Sequence, residues 1–231
     1  MIYVVKHKDD IYIPLMKNYK IINVGELYED NQRDNINHLN PYINETTALY
    51  DLWKNCDDEI IGLIHYRRLF VTVEGRALNF ALAKEYINQL NLDLICTYYH
   101  MLDSHSIYDY FKYTLEVNSP HTVPTFEKYI NRLNEIDPNI VHYFKTKDRF
   151  IGRNMFVGKK EIIDDYCEWL FSFIIDLTEE FIANDLQNVK GQERMIGHLV
   201  ERIFSYWLEE KYGKLNKIGL MPYITFDDEA D

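Results

Sequence analysis

Hydrophobic positions along this chain follow two rhythms. Short, nearly continuous apolar runs bounded by polar residues occur at Ile2–Lys6, Lys20–Val24, 60–66, Leu92–Thr97 and Phe150–Val157, and each predicts a strand. Between them, apolar residues recur at helical spacing. Glu45 to Lys54 places Leu49, Leu52 and Trp53 on one face, with Asn44 positioned to cap it, and 77–90 places Leu78, Ala81 and Leu82 inward. Residues 29–41, rich in Asn and Asp, read as a polar loop. The β-α-β-α-β alternation predicts an α/β fold around a mostly parallel sheet flanked by helices.

The middle of the chain changes character. Ser106–Thr114 and Thr125–Asn134 predict helices, with Pro124 and Pro138 as boundaries, and together they suggest a helical insertion serving as a lid or platform. Beyond the strand at Phe150–Val157, Lys160–Phe181 predicts one long amphipathic helix with Tyr166, Trp169, Leu170, Phe173 and Leu177 inward. Gln192–Lys211 predicts the last long helix, burying Met195, Leu199, Ile203, Phe204 and Trp207 and stopped by Gly213. Ile218–Phe226 reads as an edge strand and 227–231 as an acidic, frayed end. No repeat or linker interrupts the 231 residues, which fit a single domain.

Charge sharpens this picture. The formal net charge of −12 disfavours nucleic acid as a partner. Against that background Lys145, Lys147, Arg149, Arg153, Lys159 and Lys160 oppose only Asp148, a local excess that suits either an anion site, a peripheral membrane contact or a solvated turn. Cys56, Cys96 and Cys167 are dispersed and form no CxxC pair, so a reducing, cytoplasmic setting is expected. The chain opens directly into a strand, and its most apolar segment, Trp169 to Ile175, is too short to span a bilayer. Aromatic residues reach 15%, with 19 Tyr, which suits sugar or base stacking and equally an AT-rich coding sequence.

The sharpest chemical signal is Ile60-Ile61-Gly62-Leu63-Ile64-His65-Tyr66-Arg67-Arg68-Leu69-Phe70. A buried strand delivers His65, Tyr66, Arg67 and Arg68 at its C-terminal end, where open α/β sheets bind ligands. Arginine forks match phosphate oxygens, so a nucleotide diphosphate is one expectation, and structural arginines paired with the chain's many acids are the other. Three further groups stand out. Asn40, Asn44 and Glu45 lie at a helix start, where a cap and an anion site can coincide. Arg153 and Asn154 bring polar groups into an apolar strand. Glu193, Arg194, His198, Glu201 and Arg202 lie on the last helix, with Arg194, His198 and Glu201 on one face, as either an acid–base set or a salt-bridge clamp. Gly197 in mid-helix costs up to ~1 kcal/mol relative to Ala, which predicts a backbone or a ligand packed against it. The spacing of His198 and Glu201 does not suit zinc.

Taken in order, Asn35 to Tyr50, Trp53-Lys54-Asn55, Ile61 to Arg68, Asn154 to Val157, Tyr166 to Phe171 and Arg194-xx-Gly197-His198-Leu199-Val200-Glu201-Arg202-Ile203-Phe204 resemble the DUF4422 family across nearly the whole chain. Asp51 departs from the Trp found in many members. The resemblance implies a bacterial protein of capsule and exopolysaccharide loci, a glycosyltransferase with a GT-A-like fold. It would move a hexose, of the galactose series, from a UDP-sugar donor to a growing or lipid-linked glycan acceptor. It also implies a nucleotide-binding half at 1–100, a helical insertion at 101–150 and an acceptor-side half at 151–231.

Such folds usually hold a divalent metal through an Asp-x-Asp at the end of the donor strand, and here that strand ends in His65-Tyr66-Arg67-Arg68. Asp57-Asp58 precedes the strand and Asp164-Asp165 sits in a helix. The expectation is therefore transfer without metal or other cofactor, the two arginines and His65 taking up the leaving-group charge. Glu201 and Glu193, then Glu45, are candidates for the base. Tyr66, Asn40, Asn44, Arg153, Asn154, Arg194 and His198 are candidates for substrate binding, and Tyr98, Tyr99 and His100 for stacking on a sugar. A non-catalytic nucleotide-sugar or glycan-binding module remains the alternative.

Overall fold

The computed structural model describes residues 1–8, 16–29, 33–103 and 105–226. The chain begins with β1 (Ile2–Lys6) and β2 (Tyr19–Asn23), then a short helix α1 (Asn40–Ile43), α2 (Thr46–Asn55), β3 (Ile60–His65) and β4 (Arg68–Phe70). Next come α3 (Phe80–Gln89), β5 (Leu94–Thr97) and β6 (Tyr99–Met101). Helices α4 (Ile107–Asn118), α5 (Val123–Ile136) and α6 (Pro138–Thr146) form the insertion, followed by β7 (Arg149–Ile151) and β8 (Phe156–Lys159). The chain closes with α7 (Lys160–Phe171), α8 (Ile174–Asn184), α9 (Met195–Tyr206), β9 (Ile218–Met221) and β10 (Tyr223–Thr225).

Six strands form the central sheet in the order β2-β1-β3-β8-β5-β9. Every neighbouring pair is parallel except those made by β8, which runs antiparallel between β3 and β5. The carboxyl ends of β1, β2, β3 and β5 therefore share one edge with the amino end of β8. Strand β3 reads as an unbroken apolar run because both its faces are covered. Ile61 and Leu63 join the larger core, built with the helices of the insertion and α7–α9. Ile60 and Ile64 join a smaller core with Leu78, Ala83 and Ile87 from α3 and its approach. The glycines of adjacent strands permit this closeness: a Cβ on Gly62 would lie 2.9 Å from Val157, and one on Gly158 only 2.6 Å from the Asp93 carbonyl. Two-stranded antiparallel ribbons, β10-β4 and β6-β7, extend from the ligand edge.

Several sequence expectations are corrected. Phe150–Val157 is not one strand: β7 and β8 are separated by a turn in which Arg153 (φ 75°) and Asn154 (φ 47°) are left-handed. The turn lets the chain leave the β6-β7 ribbon and enter the main sheet. Lys160–Phe181 is two helices broken at Ser172 and Phe173, and the redirected α8 places Phe181 edge-on to Tyr129 of α5 at 5.4 Å. Pro138 does mark a boundary, standing at the first position of α6 just after α5 ends, since its fixed φ suits that position and Asp137 caps the helix. The last long helix begins at Met195, not Gln192, and continues through a wider turn at Trp207–Tyr212 to Gly213 (φ 67°).

Asn44 does not cap α2 with its side chain. It sits at φ 53° between α1 and α2, and its carbonyl accepts the Thr47 N–H. The tail forms two strands in two sheets, with Pro222 at the bend, and the acidic end at 227–231 lies outside the described residues. The polar segment at 29–41 includes the helical residues 37–41, and 30–32 lie outside the described residues. The cations of 145–160 do not make one patch. Lys147 pairs with Glu209, Lys159 with Asp93 and Lys160 with Asp164, while Arg149 stacks on Tyr99 and Arg153 turns into the ligand edge. Among the described residues no helix is long and apolar enough to cross a membrane.

Candidate active site

Beyond the carboxyl ends of β1, β2 and β3 lies a cleft of about 230 Å³. Val5, His7 and Val24 mark the strand ends, and β3 contributes His65 and the turn residues Tyr66 and Arg67 before Arg68 opens β4. The segment before α2 supplies Asn40, Asn44 and Glu45, the left-handed turn supplies Arg153, and the exposed face at the start of α9 supplies Arg194, His198 and Glu201. Asn154 and Glu193, both singled out from the sequence, do not line it. Asn154 stands behind the wall, donating to Glu45 at 2.9 Å. Glu193 lies away from the cleft, its carboxylate accepting the Gly191 N–H at 2.8 Å.

One side of the cleft is bonded to itself. Glu45 is 6% exposed, receives the Asn154 amide and faces His65 Nε2 at 3.5 Å. His65 Nε2 lies 2.8 Å from the Arg153 carbonyl, and Arg68 lies 3.1 Å from His65 Nδ1. A carbonyl only accepts and a guanidinium only donates, so the proton sits on Nε2 and Nδ1 is an acceptor. Both ring nitrogens are thereby engaged within the protein. Burial alone would raise the Glu45 pKa. The imidazole opposite it, its own backbone N–H and the Asn154 amide outweigh burial and hold it below the ordinary carboxylate value.

The other side is open. No hydrogen bond or ion pair within the protein engages the Glu201 carboxylate among the described residues, and its charge is felt by Arg68, Arg153, Arg202, His100 and His198. Burial, then the Arg202 charge, pushes the His198 pKa below the ordinary histidine value. Gly197 allows α9 to lie against the backbone of Tyr42 and Ile43: a Cβ there would meet the Tyr42 carbonyl at 3.0 Å and Asn44 Nδ2 at 2.8 Å. Asn40 fastens the same segment, donating to the Asn44 carbonyl and to Thr47 Oγ1 at 2.9 Å each. The Asn44 side-chain oxygen is buried at the cleft wall without a partner among the described residues.

Four arginines and two glutamates line this cleft of an acidic protein. Burial, then the guanidinium groups of Arg153 and Arg67, depresses the Arg68 pKa from its ordinary value, a sign of cations crowded in one place. Such a site favours an anion carrying several oxygens. Among the described residues no group of three His, Cys, Asp or Glu is placed to hold an ion, and Glu45 is already bonded. Asp58 receives Tyr3 and Asp164 receives Lys160, so neither acid pair of the sequence is directed here.

The sequence model of the DUF4422 family, described as a domain of unknown function, matches residues 1–212. The chain belongs to the DUF4422 family. No curated protein matches the sequence. Among solved structures the fold is similar to that of the bifunctional glycosyltransferase WbbM in its apo form, with a TM-score of 0.73 at 23% identity. The alignment covers 99% of this chain and 45% of WbbM, so the DUF4422 chain spans under half the length of that protein.

A second cleft of about 300 Å³ adjoins the first and shares Arg153, His198 and Glu201 with it. Tyr98 and His100 line it, whereas Tyr99 points to the other side and packs under Arg149, as strand alternation requires. Tyr223 and His7 are polar residues of these clefts that were not singled out from the DUF4422 sequence. Tyr223, from the tail, accepts a hydrogen bond from Arg153 Nε at 3.3 Å, and nothing local to it signals that meeting. His7 follows the end of β1, and the rule that ligands sit beyond strand carboxyl ends points to it.

Proposed function

We propose that this protein is a glycosyltransferase that moves a hexose from a UDP-sugar donor, of the galactose series, to a growing surface glycan. The observation that carries the reading is the convergence of Arg67, Arg68, Arg153 and Arg194 on one cleft at the carboxyl ends of three parallel strands. The fold shared with WbbM and the DUF4422 membership agree with it.

In this reading the donor diphosphate lies among the arginines. Glu201, whose carboxylate has no partner among the described residues, takes the proton from the acceptor hydroxyl. The hydroxyl oxygen bonds to the anomeric carbon as the bond from that carbon to the diphosphate oxygen breaks. The electron pair leaves with UDP, and its charge is met by fixed guanidinium groups rather than a metal. Glu45, His65 and Asn154 hold Arg68 and the Arg153 turn in position. Arg194, His198, Asn40, Asn44 and Tyr66 contact donor or acceptor hydroxyls and the nucleoside.

The test is calorimetric titration of UDP, once in EDTA and once with Mn²⁺. Equal binding in both supports the arginine site, and binding only with Mn²⁺ overturns metal independence. UDP binding with neither transfer nor donor hydrolysis would favour a nucleotide-sugar-binding module. A lipid-linked acceptor would bring the protein to an anionic membrane face, which co-sedimentation with vesicles containing phosphatidylglycerol examines.

A further inference from the structure

We propose that the second cleft is the acceptor subsite and that it holds one sugar ring of the glycan, with the attacking hydroxyl at Glu201. The inference rests on the donor reading of the first cleft. Its starting point is the shared wall: a ligand on either side meets the same carboxylate, Glu201, and the same guanidinium, Arg153. Transfer needs such a place, where donor and acceptor are separated by the group that removes the proton.

The chemistry of the walls differs between the two clefts. The first is dominated by arginines, whereas the second is lined by the rings of Tyr98, His100, Tyr110, Phe150 and Tyr223. A pyranose offers a face of C–H groups to such rings and a rim of hydroxyls to polar groups. Arg153 and Arg202 oppose Glu201 here, and burial with the neighbouring arginines lowers the His100 pKa, so that ring tends to neutrality. The balance is close to a single positive charge, too little for a diphosphate and compatible with an uncharged ring.

The second cleft also contains a built polar wall. Arg202 is 8% exposed, and its guanidinium lies between the rings of Phe111 and Phe150 at 4.4 and 4.6 Å. It donates to the His198 carbonyl at 2.5 Å, and among the described residues no acid forms an ion pair with it and its Nε has no partner. An arginine fixed by two rings and lining a cleft is a preorganised donor for hydroxyl oxygens. Tyr98, by contrast, is 49% exposed, a ring kept at the surface with no core to fill.

Saturation-transfer NMR tests the assignment, with UDP-loaded protein and methyl β-D-galactopyranoside, methyl α-D-glucopyranoside and methyl α-D-mannopyranoside as probes. At least one probe should receive saturation, and Tyr98→Ala should weaken that binding roughly fivefold, the loss of one stacked ring. UDP affinity in Tyr98→Ala, measured by calorimetry, should stay within about twofold of the original, since the ring lines only the second cleft. Saturation of no probe while UDP binds, or saturation unchanged in Tyr98→Ala, overturns the acceptor assignment and leaves the donor reading standing. Failure of UDP to bind overturns the donor reading and this inference with it.

Discussion

The two carboxylates of the candidate site, Glu45 and Glu201, stand within the same cleft and in opposite circumstances. Glu45 is buried, bonded by Asn154 and faced by His65, and through His65 it is linked to Arg68 and to the carbonyl of Arg153. Glu201 is half-buried on α9, has no partner among the described residues and is shared by both clefts. The first belongs to a network that fixes arginines in space, and the second is a charge left available. A carboxylate satisfied by the protein gains little from a substrate, while an unsatisfied one beside a cleft can accept a proton or a hydrogen bond. Position in a pocket therefore does not assign a role, and the state of each group's hydrogen bonds does.

The comparison can be broken by substitution. Glu201→Gln keeps the shape and removes the base, so turnover should fall by about 10²- to 10⁴-fold while UDP affinity holds. Single-turnover kinetics alongside calorimetry would read both, and undiminished turnover would return Glu201 to the structural class. Arg68→Ala should weaken UDP binding by roughly 10- to 150-fold, the loss of one charge-assisted contact of ~1.5–3 kcal/mol. If the variant unfolds instead, its guanidinium serves the network and not the ligand.

Glu45→Gln should act on stability, lowering it by about 1–3 kcal/mol in urea denaturation because a buried partner of His65 and Asn154 is altered. The sign of its pH dependence follows from the depressed pKa. The Glu45 contribution is complete above the ordinary carboxylate value of 4.5 and is lost as pH falls below it through the lower folded value. A melting temperature that falls less steeply below pH 4.5 in Glu45→Gln than in the parent is the expected result.

Gly197→Ala separates packing from propensity. Helix propensity alone favours Ala by up to ~1 kcal/mol, whereas contact with the Tyr42 and Ile43 backbone should make the change destabilising by about 1–3 kcal/mol. A more stable variant would show that α9 does not pack against the Tyr42 and Ile43 backbone. The smallest effect is expected for Glu193→Gln, with turnover unchanged and stability within about 0.5 kcal/mol, because that carboxylate only closes a surface turn at Gly191.

Strand β3 and its His65-Tyr66-Arg67-Arg68 terminus were legible in the sequence because a strand buried on both faces must be a continuous apolar run, and its carboxyl end lies where α/β sheets bind ligands. The spacing of Arg194, His198 and Glu201 on one helical face was legible for the same kind of reason, since an α-helix fixes which residues meet. A glycine within the expected helix likewise announced the close approach found at Tyr42 and Ile43, although in the structure Gly197 lies in the first turn of α9.

Long-range meetings carried no such local signature. The left-handed turn at Arg153 and Asn154 was hidden inside an apolar run, because its conformation is set by where β7 and β8 must go in different sheets. The joining of Glu45 to Asn154, 109 residues apart, and of Arg153 to Tyr223, 70 apart, arises only when the sheet order is made. Sequence determined the elements and the kinds of charge they carry, because periodicity and propensity are local. Only tertiary structure decided which carboxylate is bonded and which is open, because that depends on partners that folding alone brings within reach.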